Sequence, residues 1–166
     1  MKPGLSLLVL FFIWIWLTTQ LLEYIVPGLV NKIIFTSLRY VGVFLLPPSW
    51  VGFCYQYTTR KNKNAYLILV ISSIIPVMAL ILTFTNAFHG IIWENIYLHE
   101  NRIKVVKEFT IFYYIFLSYV YLHIISGLVI LISMTIRKPH FQRRQTIILF
   151  ITAFIPDISL LTILIS

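Results

Sequence analysis

A chain of 166 residues in which 60% are hydrophobic and only 11% are charged is too apolar to fold with water as its main solvent, because soluble domains carry roughly 25% charged residues. The net charge of +8 would suit a nucleic-acid partner, but the basic residues gather mainly in two short loops between apolar blocks, which indicates membrane orientation instead. A single cysteine, Cys54, excludes an internal disulfide and a metal site built on cysteines.

Five apolar blocks are long enough to cross a hydrocarbon core about 30 Å thick, which requires about 20 helical residues. The sequence therefore predicts an all-α, polytopic transmembrane bundle that forms one integral membrane domain, residues 1–166, with the lipid bilayer as its first partner. The predicted helices are 5–24, 31–57, 65–88, 109–136 and 146–166.

The first two blocks contain polar residues that need a structural explanation. Arg39 lies inside the second block, at a depth where a cation is costly unless it snorkels or pairs. Glu23, at the end of the first block and near the same membrane face, is its expected partner. Pro47 and Pro48 remove backbone donors in mid-segment, which predicts a kink or a break and makes them hinge candidates.

The third block ends in the stretch Thr85-Asn86-Ala87-Phe88-His89-Gly90-Ile91-Ile92-Trp93-Glu94, where the one sizeable polar loop begins. If the helix continues to Trp93, then Asn86, His89 and Trp93 share one of its faces. Together with Glu94 they are the candidate ligand-sensing residues. The alternative is an interfacial boundary, since His and Trp favour the water–lipid border whether or not a ligand binds there.

The last two blocks carry polar groups near mid-membrane. Tyr119, His123 and Ser126 follow the i, i+4, i+7 spacing of one helical face, which is more often an interhelical contact than a ligand site. Asp157, next to Pro156, is the most anomalous charge in the chain. Three explanations are open for it: protonation, pairing with a group such as His123, or exposure to a wet cavity.

No cofactor, metal site or enzymatic activity is predicted. Haem would require two axial histidines at one depth, whereas only His123 lies near mid-membrane. His99-Glu100 lacks the second histidine of a metalloprotease helix, and no nucleophile–base pair stands out.

The positive-inside rule assigns the two basic loops, 60–64 and 137–144, to the cytoplasm. The amino terminus of this multi-pass cell-membrane protein is then cytoplasmic, and with five spans its carboxyl terminus is extracytoplasmic. The stretch from Thr85 to Glu94 accordingly faces outward.

Short motifs follow one another along nearly the whole chain. The most telling is Thr85-Asn86-Ala87-Phe88-His89-Gly90-Ile91-Ile92-Trp93. The others are Pro3-Gly4, Trp14 or Trp16, Leu22-Glu23, Arg39-Tyr40-Val41-Gly42, Pro47-Pro48-Ser49-Trp50, Phe53, Tyr55, Tyr119, Tyr121, Arg144-Gln145 and Pro156. In this order they resemble the N-terminal seven-helix membrane region of prokaryotic sensor histidine kinases, in which a Thr-Asn-x-x-His-x-x-x-Trp pattern lies at the outer end of a helix.

The resemblance implies a sensory input region for signal transduction in a two-component system. The five spans would correspond to the second through sixth helices of that region, with no kinase core attached. A truncated gene, a degenerate paralogue and a stand-alone input module are all compatible with this. A homodimer or a separate kinase is the implied partner, and the stimulus is an unidentified small molecule or a membrane change. The alternative function is a small membrane carrier or channel subunit that uses Asp157, Arg39 and His123.

Overall fold

The computed structural model describes residues 4–59, 62–98 and 105–137. In chain order its elements are α1 (Gly4–Ile25), α2 (Leu29–Thr59), α3 (Asn62–Phe84), α4 (Asn86–His89), β1 (Trp93–Leu98), β2 (Val105–Phe109) and α5 (Ile111–Arg137). Within these residues four helices, α1, α2, α3 and α5, are long and apolar enough to cross a membrane. The predicted transmembrane helical bundle is confirmed, while the fifth predicted helix and Asp157 lie outside the described residues.

Helix α2 is the centre of the bundle, because α1, α3 and α5 all pack against it. Its 31 residues make it about 46 Å long at 1.5 Å per residue, longer than the hydrocarbon core. The helix passes through Pro47 and Pro48 without a break, and both prolines are buried. α2 therefore has no break at these prolines. In membrane helices, packed neighbours hold the helix together where proline removes a backbone hydrogen bond.

Two glycines bring the helices around α2 into close contact. A Cβ atom added to Gly42 would lie 2.7 Å from Cβ of Trp16 and 2.8 Å from the carbonyl oxygen of Phe12, both on α1. A Cβ atom on Gly127 of α5 would lie 2.5 Å from Cδ1 of Trp50. Small residues at such crossings are the usual means of helix association in lipid, where van der Waals packing replaces the hydrophobic effect.

The outer faces of the helices are apolar, as a bilayer requires. Large side chains at least half exposed on these faces include Leu10, Phe11, Leu17, Val70, Ile74, Leu122 and Val129. Most buried aromatic residues instead lie on α2 itself, and Trp16 of α1 and Tyr113 of α5 belong to the same buried cluster as Tyr40 and Phe44.

The third helix ends earlier than the predicted residue 88. α3 ends at Phe84, and the single turn α4 is closed by Gly90, whose φ of 62° lies in the left-handed region that glycine adopts most readily. Trp93 therefore does not continue the helical face of Asn86 and His89.

The predicted polar loop contains an antiparallel β-hairpin, in which Trp93 pairs with Phe109 and Leu98 with Val105. Its strands are rich in β-branched and aromatic residues, which favour extended backbone, but that pattern is too short to stand out beside 20-residue helices. Thr110 closes the base of the hairpin by donating from its backbone N–H to the Ile92 carbonyl (3.1 Å). We call the end of the bundle that carries the Pro27-Gly28 turn, α4 and this hairpin the hairpin end.

Candidate functional site at the hairpin end

Asn86 holds the start of β1 against the end of α3. Its side-chain Nδ2 donates to the Trp93 carbonyl (2.8 Å), and its Oδ1 accepts from the backbone N–H of Ile92 (2.7 Å) and, more weakly, of Trp93 (3.4 Å). The side chain is buried. Asn86 thus replaces backbone hydrogen bonds that the chain loses between helix and strand, which is a structural task.

His89 lies at the surface, and both of its ring nitrogens have partners. Nδ1 accepts from the backbone N–H of Ile91 (3.0 Å), and Nε2 lies 3.0 Å from Oγ1 of Thr85. The Thr85 hydroxyl donates to the Ile81 carbonyl (2.7 Å), so it accepts from His89. These contacts assign the ring proton to Nε2, and a proton added to Nδ1 would remove the bond to Ile91.

Trp93 and Glu94 differ in environment although they are neighbours. Trp93 is buried, and its ring stacks on Tyr40 with centroids 5.9 Å apart. Tyr40 in turn stacks on Phe44 (5.4 Å) and meets the edge of Tyr113 (6.2 Å). Glu94 is exposed on β1. The segment between α3 and β1 therefore holds Asn86, His89 and Trp93 close together. Asn86 and Trp93 are buried there, whereas His89 and Glu94 are exposed.

A buried cluster of charges lies beneath the hairpin. The Arg39 guanidinium reaches Oε2 of Glu23 at 2.8 Å, which is the pairing expected from the sequence. The Lys107 amine, from β2, lies 3.8 Å from Oε1 of the same carboxylate. The side chains of Arg39, Glu23 and Lys107 are 11%, 8% and 5% exposed. Both cations lie within 6 Å of the Tyr40 ring centroid, a favourable cation–π distance. We call these four residues the docking cluster.

A third cation caps α1 beside the docking cluster. Lys32, buried in the first turn of α2, donates from Nζ to the carbonyl of Glu23 (2.6 Å) and approaches that of Tyr24 (3.4 Å). A cation at the carboxyl end of a helix satisfies its last carbonyls and its dipole. The Glu23 residue is thus held by its backbone as well as by its carboxylate.

The environment of Lys107 changes its acidity. Burial lowers the pKa of its amine to about 7; the nearby Arg39 guanidinium lowers it further, and the Glu23 carboxylate only partly offsets these effects. Sequence reasoning missed Lys107, because it lay within an apparent loop. The signal was the alternation of Val105, Lys107 and Phe109, which puts these residues on one face of a strand.

The polar stripe on α5 makes contacts within and between helices. The Tyr119 hydroxyl donates to the carbonyl of Ser72 on α3 (3.0 Å). That carbonyl has no partner four residues later, since residue 76 is a proline without an N–H. His123 places Nδ1 3.0 Å from the Tyr119 carbonyl, and Ser126 donates to the Leu122 carbonyl.

The groups proposed for a carrier are not gathered in the described part of the chain. The docking cluster is level with Tyr113, whereas His123 lies ten residues further along α5, or about 15 Å at 1.5 Å per residue. Arg39 is paired with Glu23, and Asp157 lies outside the described residues. Among those residues, no group of His, Cys, Asp and Glu side chains has the arrangement of a metal site.

Comparison with known proteins agrees with this architecture. The sequence pattern of one family, the N-terminal 7TM region of histidine kinase, matches residues 3–166. No curated protein and no solved structure shows a significant match to the chain.

Proposed function

The chain belongs to the family of N-terminal 7TM regions of histidine kinases, and we propose that it is a membrane-embedded input region for signal transduction. The family describes a multi-pass sensor region rather than a kinase domain. The observation that carries the proposal is the docking cluster, because it ties the hairpin directly to two membrane helices, α1 and α2.

Such a connection supplies what an input region needs. A stimulus changes the output only if it interacts differently with two arrangements of the protein. Movement of the hairpin would alter the contacts of Lys107 with Glu23, and so the environment of the end of α1 and of Arg39 on α2. The change in contacts is local, and movement of α1 and of α2 would transmit it across the bilayer.

We place the sensing surface around Asn86, His89, Trp93 and Glu94, with the amino terminus in the cytoplasm and the hairpin end outside. Asn86 and Trp93 hold the surface in shape, whereas His89 and Glu94 are accessible to a small molecule or to a change in the membrane. The partner that receives the change is a second copy of the chain or a separate kinase. Pro47 and Pro48 remain the proposed hinge of α2.

A chimera tests this function. The chain is fused to a histidine kinase core, and autophosphorylation is measured in membranes across pH and added solutes. His89→Ala removes the Ile91 and Thr85 contacts, and we expect it to change the response. Phe88→Ala is the matched control, since Phe88 is the neighbouring residue on α4 and is 90% exposed. Unchanged signalling by His89→Ala under every condition would reject the sensing role of this residue.

The carrier function makes a different prediction, namely solute or ion flux in liposomes that depends on Asp157. Flux that persists unaltered in Asp157→Asn, or the absence of flux, would favour the input region.

A further inference from the structure

The docking cluster contains more positive than negative charge. Glu23 supplies one carboxylate and lies 2.8 Å from Arg39, so that the Lys107 amine, at 3.8 Å, is the second cation on an anion already paired. Removing a charge from water costs several kcal/mol unless it is well paired. Charged Lys107 is therefore the least stabilised member of the cluster, and it is also the member that belongs to the hairpin.

We infer that the docking of the β1–β2 hairpin is proton-responsive: a proton taken up from water by the Lys107 amine weakens its attachment to α1 and α2, and release of that proton strengthens it. The step converts a buried –NH₂ group and a solvent proton into –NH₃⁺, with no other bond changed. As a sensory device it rests on the proposed input function, and it names the proton as a stimulus at that site.

The direction follows from comparing the docked and undocked hairpin. In water the pKa of a lysine amine is about 10.4, whereas burial lowers that of docked Lys107 to about 7. Between these two values the undocked state holds more protons, so that raising the pH favours docking. The ratio of undocked to docked hairpin falls up to tenfold per pH unit above about 7 and is flat below it.

Other titratable or charged groups lie near the hairpin, on the helices that pack against it and on the hairpin itself. Glu23 on α1 and Arg39 and Tyr40 on α2 lie beside the docked amine. Lys32 on α2 contacts Glu23, and Tyr113 on α5 contacts Tyr40. Glu94 and Glu108 on the hairpin and His89 on α4 are exposed. The imidazole of His89 is tested by a separate variant.

The test is amide hydrogen exchange of β1 and β2 in the full chain, reconstituted in lipid nanodiscs between pH 6 and pH 9. Rates are divided by the intrinsic exchange rate at each pH, which gives the opening ratio of the hairpin. For the unmodified chain we expect a plateau below pH 7 and a fall approaching tenfold per unit above it. A ratio independent of pH would overturn the inference.

Variants identify the group responsible. Lys107→Met should abolish the pH dependence, and Lys107→Arg, which stays charged, should hold the ratio at the acid plateau. Lys63→Met, an exposed lysine at the start of α3, should behave like the unmodified chain. His89→Ala loses the bond from the Ile91 N–H and so shifts the level of the ratio, but the fall above pH 7 should remain. Persistence of the dependence in Lys107→Arg or Lys107→Met would assign it to another group and overturn the inference. Because no kinase is present, failure of the chimera leaves this result unaffected.

Discussion

The carbonyl of Ser72 explains why a tyrosine at position 119 is useful. In lipid an unpaired backbone carbonyl has no water to bond with, so a proline in a membrane helix leaves a carbonyl that a neighbouring side chain can bond. Pro76 leaves the Ser72 carbonyl of α3 unpaired within its helix, and the Tyr119 hydroxyl of α5 donates to it. The polar stripe predicted on α5 is thus partly an interhelical contact, which is the more ordinary of its two interpretations.

A double-mutant cycle measures this contact. Tyr119→Phe should lower the free energy of unfolding by about 1 kcal/mol, the usual net contribution of a hydrogen bond. Pro76→Ala restores an N–H that can bond to the Ser72 carbonyl, so that Tyr119→Phe should then cost close to nothing. Unfolding is measured in mixed micelles, with Tyr114→Phe, an exposed tyrosine on the same helix, as the control. Equal costs of Tyr119→Phe in both backgrounds would show that the freed carbonyl is not what Tyr119 serves.

At the scale of single residues, the sequence identified the unusual positions more reliably than it identified their roles. Charge and depth were enough to pair Arg39 with Glu23. They were not enough for Asn86, because a side-chain amide near a helix end can bond equally well to a ligand or to the backbone. Which of the two it bonds depends on whether the chain brings the backbone of Ile92 and Trp93 back beside it. Lys107 was missed since its burial exists only once β2 lies against α2.

At the scale of helices, close backbone contact rather than polarity determines how α1 and α2 pair. Gly42 allows α1 to cross α2 at the backbone of Phe12 and Trp16, so that even a methyl group has no room there. Apolar length made the helices predictable from the sequence. The hairpin was not predictable in this way, because a strand of five or six residues is defined by its partner and by the left-handed turn at Gly90.

Gly42→Ala should separate α1 from α2 and destabilise the fold by about 1–3 kcal/mol, the usual range for overpacking a core. Gly52→Ala, almost three turns further along α2 at 3.6 residues per turn, is the matched control, since its added Cβ would lie 3.3 Å from the Ala65 carbonyl oxygen, where a small shift suffices. Thermal unfolding of both variants in detergent is the measurement. A larger loss of stability in Gly52→Ala than in Gly42→Ala would contradict the assigned crossing.

For the whole molecule, the structure determines which segments share an end of the bundle, and a charge argument predicts which end faces the cytoplasm. The contact between Glu23 and Lys107 puts the Pro27-Gly28 turn and the hairpin at one end, and Asn64, in the first turn of α3, lies at the other. Because basic loops stay in the cytoplasm, we expect the hairpin end to face outward.

Cysteine labelling in intact bacterial cells decides this orientation. Cys54 is fully buried and is replaced by alanine, after which a single cysteine is introduced as Tyr97→Cys in the hairpin or Asn64→Cys at the opposite end. A membrane-impermeant maleimide should label Tyr97→Cys in intact cells and Asn64→Cys only after lysis, since each native residue is exposed in the structure. The reverse pattern would place the docking cluster at the cytoplasmic face, where cytoplasmic rather than external pH would set the charge of Lys107.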